Sequence, residues 1–317
     1  MVVKENVKLA KYTTYRIGGP ARYFTDVASK EEAREAMEWA KKKKVSHFVL
    51  GGGSNVLISD KGYPGLVIFM RNRKIKFEPD HPRPKETQIF AHVDAGVDLQ
   101  EFVDKVLARG LEGLEWAAGI PGQVGGAICG NAGAFGGELK DAVESVDAVT
   151  LEGKLETFTN KECKFSYRTS IFKEEPGMVI VSCTLRLKPG DKLELLRKAE
   201  ELRQWRRTRH PLEYPNCGSI FKRVALEDIK VGLWERYPDM KNAVRHGQVA
   251  TAYFIDKCGL KNMRIGGAEV SDKHPNFFVN RTGRASAEDV IMLAGAVRQR
   301  VLDKFGIFME EEPHFLV

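Results

Sequence analysis

Three observations predict an α+β protein. A small strand–helix unit opens the chain, the middle from Val143 to Lys188 is rich in strands with polar breaks, and the last third closes on a well-patterned helix. A length of 317 residues suits two or three domains.

The elements follow in order. Ser29 and Glu32 form a capping box ahead of Ala33, Ala36, Met37 and Ala40, which share one helical face. Lys41 to Lys44 close that helix as a solvated cationic end, which suits the dipole. His47 to Leu50 reads as a short apolar strand running into Gly51-Gly52-Gly53-Ser54-Asn55-Val56-Leu57, and Gly65 to Met70 as another strand. Residues 72–87 are charged and hold Pro79, Pro82 and Pro84, as a boundary or exposed loop would. Asp98 with Glu101 caps a second helix, stopped at Gly110.

Between Gly119 and Glu138 stand eight glycines in twenty residues with a single charge, leaving no room for a regular element. Average usage of about 7% would place one or two there. Flexible linkers are Ser-rich and polar, whereas the spacers here are Ile120, Val124, Ala127, Ile128, Ala132, Ala134 and Phe135. Apolar spacers mark a buried wall whose bare backbone can touch a flat or phosphorylated ligand with no Cβ in the way. Strands VDAVTL, LETFT and MVIVSCTLRL come next, then a helix from Leu193 to Arg209 ending in the basic cluster Arg203, Arg206, Arg207 and Arg209. The last third holds Gly218-Ser219-Ile220-Phe221-Lys222, a helix near Thr251 to Cys258, short strands through Gly267 to Asn280, and a helix from about Ser286 to Phe305. Val290, Leu293, Ala294, Val297 and Val301 form its buried stripe.

The net charge of +7 is compatible with nucleic acid or with a small anionic substrate. No arginine–aromatic alternation of the RNA-binding kind is present, so a nucleic-acid partner is not expected. Five scattered cysteines without a C-x-x-C argue against a disulfide framework or a zinc site, and dispersed His210, His246 and His274 give no metal-ligand spacing. Residues 1–10 lack the apolar core of a signal peptide, and no run is long enough to span a membrane. A cytoplasmic protein without a membrane partner is expected.

The segment GGGSNV fails the dinucleotide fingerprint: Val56 replaces the third glycine and LISDKGYPG is no helix. A Walker A lysine is also absent. A simple turn and a nest of N–H groups for a pyrophosphate both remain open. Two glycine loops about seventy residues apart fit a large ligand with a phosphate middle and a flat ring, for which FAD is the natural candidate. The cofactor-binding candidates are Gly51, Gly52, Gly53, Ser54 and Asn55, with Gly119, Gly122, Gly126, Gly130, Asn131 and Gly133.

The ordered series Tyr15-Arg16-Ile17-Gly18-Gly19, LGGGSNVL, GIPGQVGGAICGNAGAFGGE, Ser166-Tyr167-Arg168-Thr169-Ser170, Gly218-Ser219-Ile220-Phe221-Lys222, GGAEVSDKHPNFFVN and FGIFMEEE closely resembles the UDP-N-acetylenolpyruvoylglucosamine reductase family. The resemblance runs from about residue 12 to 312. It implies an FAD-binding module of the vanillyl-alcohol-oxidase type made of two α/β subdomains, residues 1–71 and 72–195, and a C-terminal α+β substrate domain, residues 196–317. Tyr15 joins the cofactor-binding set on the same ground. The implied reaction belongs to peptidoglycan synthesis. NADPH reduces FAD, and the enolpyruvyl ether of a sugar nucleotide then takes a hydride at its terminal carbon, which throws negative charge onto its carboxylate. Such an enediolate needs a cation, an acid and a supporting polar group.

On the family pattern, Arg168 polarises the carboxylate, Ser219 donates the proton and Glu312 assists. A guanidinium fork suits a carboxylate better than an ammonium does. Glu310, Glu311 and Glu312 are consecutive and Pro313 follows, so a register two residues earlier would give Glu310 the role. Ser219 comes only 51 positions after Arg168, which matches the shorter form of the family, without the extra loop that closes over substrate. Lys222 or Arg223 is expected near the UDP phosphates, and the protein is expected to be a monomer. The competing readings are a flavin-dependent oxidase of alcohols or sugars on the same cofactor fold, and a non-catalytic nucleotide- or RNA-binding protein.

Overall fold

In the computed structural model, which describes residues 1–78 and 88–316, the chain divides into two units. One comprises Met1–Val7, Ala21–Gly52 and Pro64–Arg206; the other comprises Lys8–Pro20, Gly53–Tyr63 and Arg207–Val317.

The first unit carries two sheets. One has the strand order Val3–Lys8, Pro20–Val27, Tyr63–Met70, His47–Leu50, and its last two strands are parallel, with Leu50 opposite Phe69. Helix α1 (Lys30–Lys43) begins where Ser29 Oγ accepts the Glu32 N–H at 3.2 Å. Glu32 reaches back to the N–H of Ala28 at 2.7 Å, one residue earlier than a standard box. Ala33, Ala36, Met37 and Ala40 are its buried face, and Lys44 ends it in the left-handed conformation.

The second sheet is antiparallel, ordered Leu155–Thr159, Val143–Val149, Val179–Pro189, Ile89–Asp94, Ile75–Glu78, with Leu111–Glu112 also paired to Val179–Pro189. The strand Ile75–Glu78 corrects the expectation of a loop from residue 72. Its alternation of Ile75 and Phe77 with Lys76 and Glu78 fits an edge strand with one face inward. The proline-bearing remainder, 79–87, lies outside the described residues. Helix α2 (Leu99–Ala108) is capped by Asp98, whose carboxylate accepts from the N–H groups of Gln100 and Glu101. It buries Leu99, Phe102, Val103, Val106 and Leu107, each worth roughly 1.5–3 kcal/mol of burial.

The glycine-rich stretch does contain regular structure. Helix α3 (Val124–Cys129) and a small hairpin of Gly133–Ala134 with Gly137–Glu138 lie within it. Val124 and Ile128 are buried one turn apart, enough to hold a short helix despite Gly125 and Gly126. Helices α4 (Ile171–Glu174) and α5 (Lys192–Arg209) follow.

In the second unit Val56–Ile58 pairs in parallel with His314–Leu316, Leu57 opposite Phe315. The 8–20 segment closes on itself through Leu9 N–H to Gly19 O at 3.0 Å and joins Ser59 through Gly19 N–H to Ser59 O at 2.8 Å. Two three-stranded sheets, Val224–Ala225 with Gln248–Val249 and Val244–Arg245, and Arg264–Ile265 with Ala268–Val270 and Phe278–Val279, stand with helices α6 (Val231–Arg236), α7 (Thr251–Lys257) and α8 (Ala287–Phe305). Ser286 and Asp289 form a full capping box on α8, and Gly306 at φ +68° ends it. The stripe of Val290, Leu293, Ala294, Val297 and Val301 is buried. Among the described residues no helix is long and apolar enough to cross a membrane.

Candidate active site

In the first unit the two glycine loops meet backbone to backbone. A Cβ on Gly52 would fall 2.7 Å from Gly122 Cα, an approach that only glycine at position 52 allows. The 122–125 segment is fastened by Leu99 N–H to Gly122 O (2.9 Å), Val124 N–H to Val97 O (2.9 Å) and Gly125 N–H to Ala95 O (2.8 Å). Gly119 stands at φ +84° against Arg206 Cδ, and Gly122 at φ +118°.

Next to this seam the structure leaves room. A Cβ at Gly126 would meet nothing within 4 Å, and one at Gly130 only the Gly126 carbonyl at 3.6 Å. The buried Gln123 donates from Nε2 to Met70 O at 3.2 Å, while its Oε1 has no hydrogen-bond partner. A ledge of bare backbone with an orphaned buried amide oxygen fits a large flat, polar group such as FAD. Among the described residues no cluster of three or more His, Cys, Asp or Glu could hold a metal.

The glycine stretch also holds Arg168. Ser166 and Thr169 exchange backbone hydrogen bonds of 3.1 and 3.2 Å, a tight turn with Arg168 at φ +58° in its third position. Asn131, wholly buried, donates from Nδ2 to Ser166 O (2.9 Å) and to Glu138 (3.1 Å) and accepts the Lys140 N–H (3.0 Å). Its side chain is therefore a bracket between the glycine stretch and the Arg168 turn. Ser170 Oγ donates to Cys129 O at 2.7 Å, a second tie. Arg168 Nη2 donates to Gly133 O at 2.8 Å, and its guanidinium lies 5.0 Å from the Tyr167 ring centre.

Sequence reasoning saw Arg206 only as part of a basic cluster. The structure buries it to 8% exposure, with Nε donating to Ala118 O at 3.0 Å and the guanidinium 5.1 Å from the Phe135 ring centre. Burial, and then the nearby Arg168 charge, lower its pKa to about 10. Two guanidiniums thus put a positive field on the glycine stretch.

The other candidates lie in the second unit. Gly53, at φ +62°, lets the chain of Tyr12 and Thr13 pass against it, and its carbonyl accepts the Thr14 N–H at 3.0 Å. Ser54 and Asn55 lead into the strand at Val56, and Asn55 O accepts the His314 N–H at 3.0 Å. Tyr15 is wholly buried and its hydroxyl has no hydrogen-bond partner; burial first, and then Cys217, raise its pKa well above the usual tyrosine value.

Ser219 and Glu312 come together on paired segments. Gly218 turns at φ +86° with its N–H on Asn216 Oδ1 (2.9 Å), and Ser219 and Phe221 beyond it form isolated β-bridges. One edge pairs with Asn276 and Phe277, the other with Glu310 to Glu312. Glu312 N–H donates to Ile220 O at 2.9 Å and Lys222 N–H to Glu310 O at 2.9 Å. Glu310 forms an ion pair with Lys222 at 3.0 Å, Glu311 with Arg298. The Glu312 charge reaches the buried Cys217 thiol, whose pKa burial chiefly raises. Arg223 is half-buried, close enough for its charge to act on His274.

Residues 21–159 match the family described as FAD binding domain, and residues 210–316 match UDP-N-acetylenolpyruvoylglucosamine reductase, C-terminal domain. The UDP-N-acetylenolpyruvoylglucosamine reductase of Lactobacillus delbrueckii subsp. bulgaricus is 38% identical over 315 residues, covering 98% of this chain and 94% of its own. That of Carboxydothermus hydrogenoformans is 39% identical over 306 residues, 96% and 91%. The crystal structure of the Thermus caldophilus enzyme superimposes with a TM-score of 0.75 at 32% identity, over 100% of both chains. The GGGSNV segment enters a strand rather than a helix, unlike the glycine loop of a Rossmann fold. From relatives of this identity along nearly its whole length, and from an architecture shared end to end, the chain belongs to the UDP-N-acetylenolpyruvoylglucosamine reductase family.

Proposed function

We propose that the protein reduces the enolpyruvyl group of UDP-N-acetylglucosamine enolpyruvate to give UDP-N-acetylmuramic acid for peptidoglycan, with NADPH as reductant, acting as a cytoplasmic monomer. FAD, when bound, carries the hydride from NADPH to the substrate. The backbone of Gly51, Gly52, Gly122, Gly126 and Gly130 would hold that cofactor, with open space at Gly126 and Gly130, where a Cβ would meet nothing closer than 3.6 Å. Arg168 binds the substrate carboxylate and stabilises the charge that develops on it. Ser219 Oγ delivers a proton to the carbon next to that carboxylate, and Glu312 supports the transfer. Lys222 and Arg223 attract the diphosphate. Residues 196–317 form the substrate domain.

The observation that carries this reading is the pairing of the Ser219 and Glu312 segments through Glu312 N–H to Ile220 O. Glu310 pairs with Lys222 and Glu311 with Arg298, and Glu312 takes the role on the family's register. Replacement of Ser219 by alanine tests it. Flavin reduction by NADPH is expected to persist, while reoxidation by the enolpyruvyl substrate slows by about 10²–10⁴-fold, the usual contribution of a positioned proton donor. Full retention of both half-reactions would remove Ser219 from the chemistry.

A further inference from the structure

We propose that Asn276, backed by Thr251, is a positioning residue that fixes where the Ser219 hydroxyl stands; this rests on Ser219 being the proton donor. The Asn276 carboxamide grips both peptide groups of Phe221: Oδ1 accepts its N–H at 3.0 Å and Nδ2 donates to its C=O at 2.8 Å. The Asn276 backbone adds a third hold, its carbonyl accepting the Ile220 N–H at 2.8 Å. The second amide hydrogen goes to Thr251 Oγ1 at 2.9 Å, and that hydroxyl donates to the same Phe221 carbonyl at 3.3 Å. Asn276 is 4% exposed and Thr251 1%, so solvent offers these groups no substitute.

An amide that reads an N–H and a C=O of one residue has a single workable orientation, because the flipped form sets donor against donor. Upstream of Ser219 the Gly218 N–H is tied to Asn216 Oδ1 at 2.9 Å, and a Cβ on Gly218 would meet nothing within 4 Å. Downstream, the chain is held from opposite edges by Asn276 on one side and by the Glu312 N–H on the other. Ser219 itself pairs with Phe277, the residue after Asn276. Its direction is thus set by two residues beyond it in sequence, through a clamp that lies outside the reacting groups.

The test uses FAD-loaded enzyme carrying Asn276→Ala or Thr251→Val, each alone and combined with Ser219→Ala. Flavin reduction by NADPH and the thermal midpoint report on the fold; reoxidation by the enolpyruvyl substrate, in H₂O and D₂O, reports on the proton. Asn276→Ala is expected to leave flavin reduction within about twofold and to slow reoxidation by about 10- to 100-fold, the scale of a misplacement near 1 Å. The solvent isotope effect on reoxidation should rise as protonation becomes limiting. In the Ser219→Ala background the loss should vanish, because groups that act as one unit are non-additive. A loss that persists in full in that background, or no loss at all, overturns the proposal. If Asn276→Ala fails to fold, Thr251→Val, which keeps the side-chain volume, decides by the same comparison. If Ser219→Ala leaves reoxidation intact, the proton-donor reading falls and takes this proposal with it. A collapse in Ser219→Ala with silent clamp variants removes the clamp alone.

Discussion

The Arg168 guanidinium donates to the carbonyl of Gly133 at 2.8 Å, from a backbone held at φ +58°. That conformation costs a non-glycine residue roughly 1–2 kcal/mol. It is held by the paired Ser166 and Thr169, by Lys173 donating to Arg168 O at 3.0 Å, and by the Asn131 bracket. The turn therefore aims a guanidinium at the glycine stretch, where lysine would keep the charge and lose the fork.

Arg168→Lys should accordingly separate the two half-reactions. Flavin reduction by NADPH should change little, while reoxidation by substrate slows by about 10²-fold or more, as for loss of one transition-state donor. Stopped-flow absorbance of the flavin measures both. An equal fall in the two rates would assign Arg168 to cofactor binding instead.

The consecutive glutamates give a second prediction. Glu310 and Lys222 form a mostly exposed pair, worth about 0–1 kcal/mol. Glu310→Gln should leave turnover and thermal midpoint nearly unchanged, whereas Glu312→Gln should lower kcat by about 10²-fold or more with a smaller effect on KM. Steady-state kinetics on both variants decides, and the reverse pattern would hand the role to Glu310.

These assignments were legible in the sequence to different depths. The caps at Ser29, Asp98 and Ser286 and the α8 stripe are local devices, so neighbouring residues sufficed to find them. The glycine stretch was readable as a bare-backbone wall, but α3 within it was not. Its existence depends on Gly125 seating against Ala95, thirty residues away, where a Cβ would fall 2.7 Å from the Ala95 Cβ. Arg206 was hidden for a like reason: Gly119 and Phe135 bury it, and neither is near it in sequence. Asn276 lies within the GGAEVSDKHPNFFVN stretch, but its role is not legible there, because its partners at Phe221 and Thr251 are met only after folding. Likewise the 8–20 and 53–63 segments join the second unit through backbone bonds such as Gly19 to Ser59, which carry no residue signature.

The glycines allow the fold and the cofactor to be tested separately. Gly52→Ala drives a Cβ into the Gly122 backbone and should destabilise by about 1–3 kcal/mol. Gly126→Ala meets nothing, lies inside α3, and should raise apoprotein stability by about 0.4–1 kcal/mol through the unfolded chain. If FAD lies against Gly126, the same variant should lose flavin, seen as a lower ratio of flavin to protein absorbance after purification. Full flavin content in Gly126→Ala would move the cofactor away from this ledge.

His274 provides a pH-dependent stability term. Its ring is packed against His210 and Phe277, and its Nδ1 accepts the Asn276 N–H at 3.3 Å. Burial, helped by the Lys261 and Arg223 charges and opposed by its own backbone bond, lowers its pKa from 6.5 to about 4. A folded-state pKa below the unfolded one means that the unfolded chain takes up the proton first as pH falls. The contribution is therefore full above pH 6.5, declines between 6.5 and about 4, and is flat below that. At about 1.4 kcal/mol per pKa unit the loss is at most about 3.5 kcal/mol. His274→Gln, which cannot titrate, should flatten the fall of the urea midpoint between pH 6.5 and 4 relative to the parent. Carboxylates held below their usual 3.8, such as Asp26 and Asp289, lose their contribution only as pH falls below this window. Parallel curves for the two proteins would show that His274 takes its proton as readily folded as unfolded, and that its burial sets no pH limit on this unit.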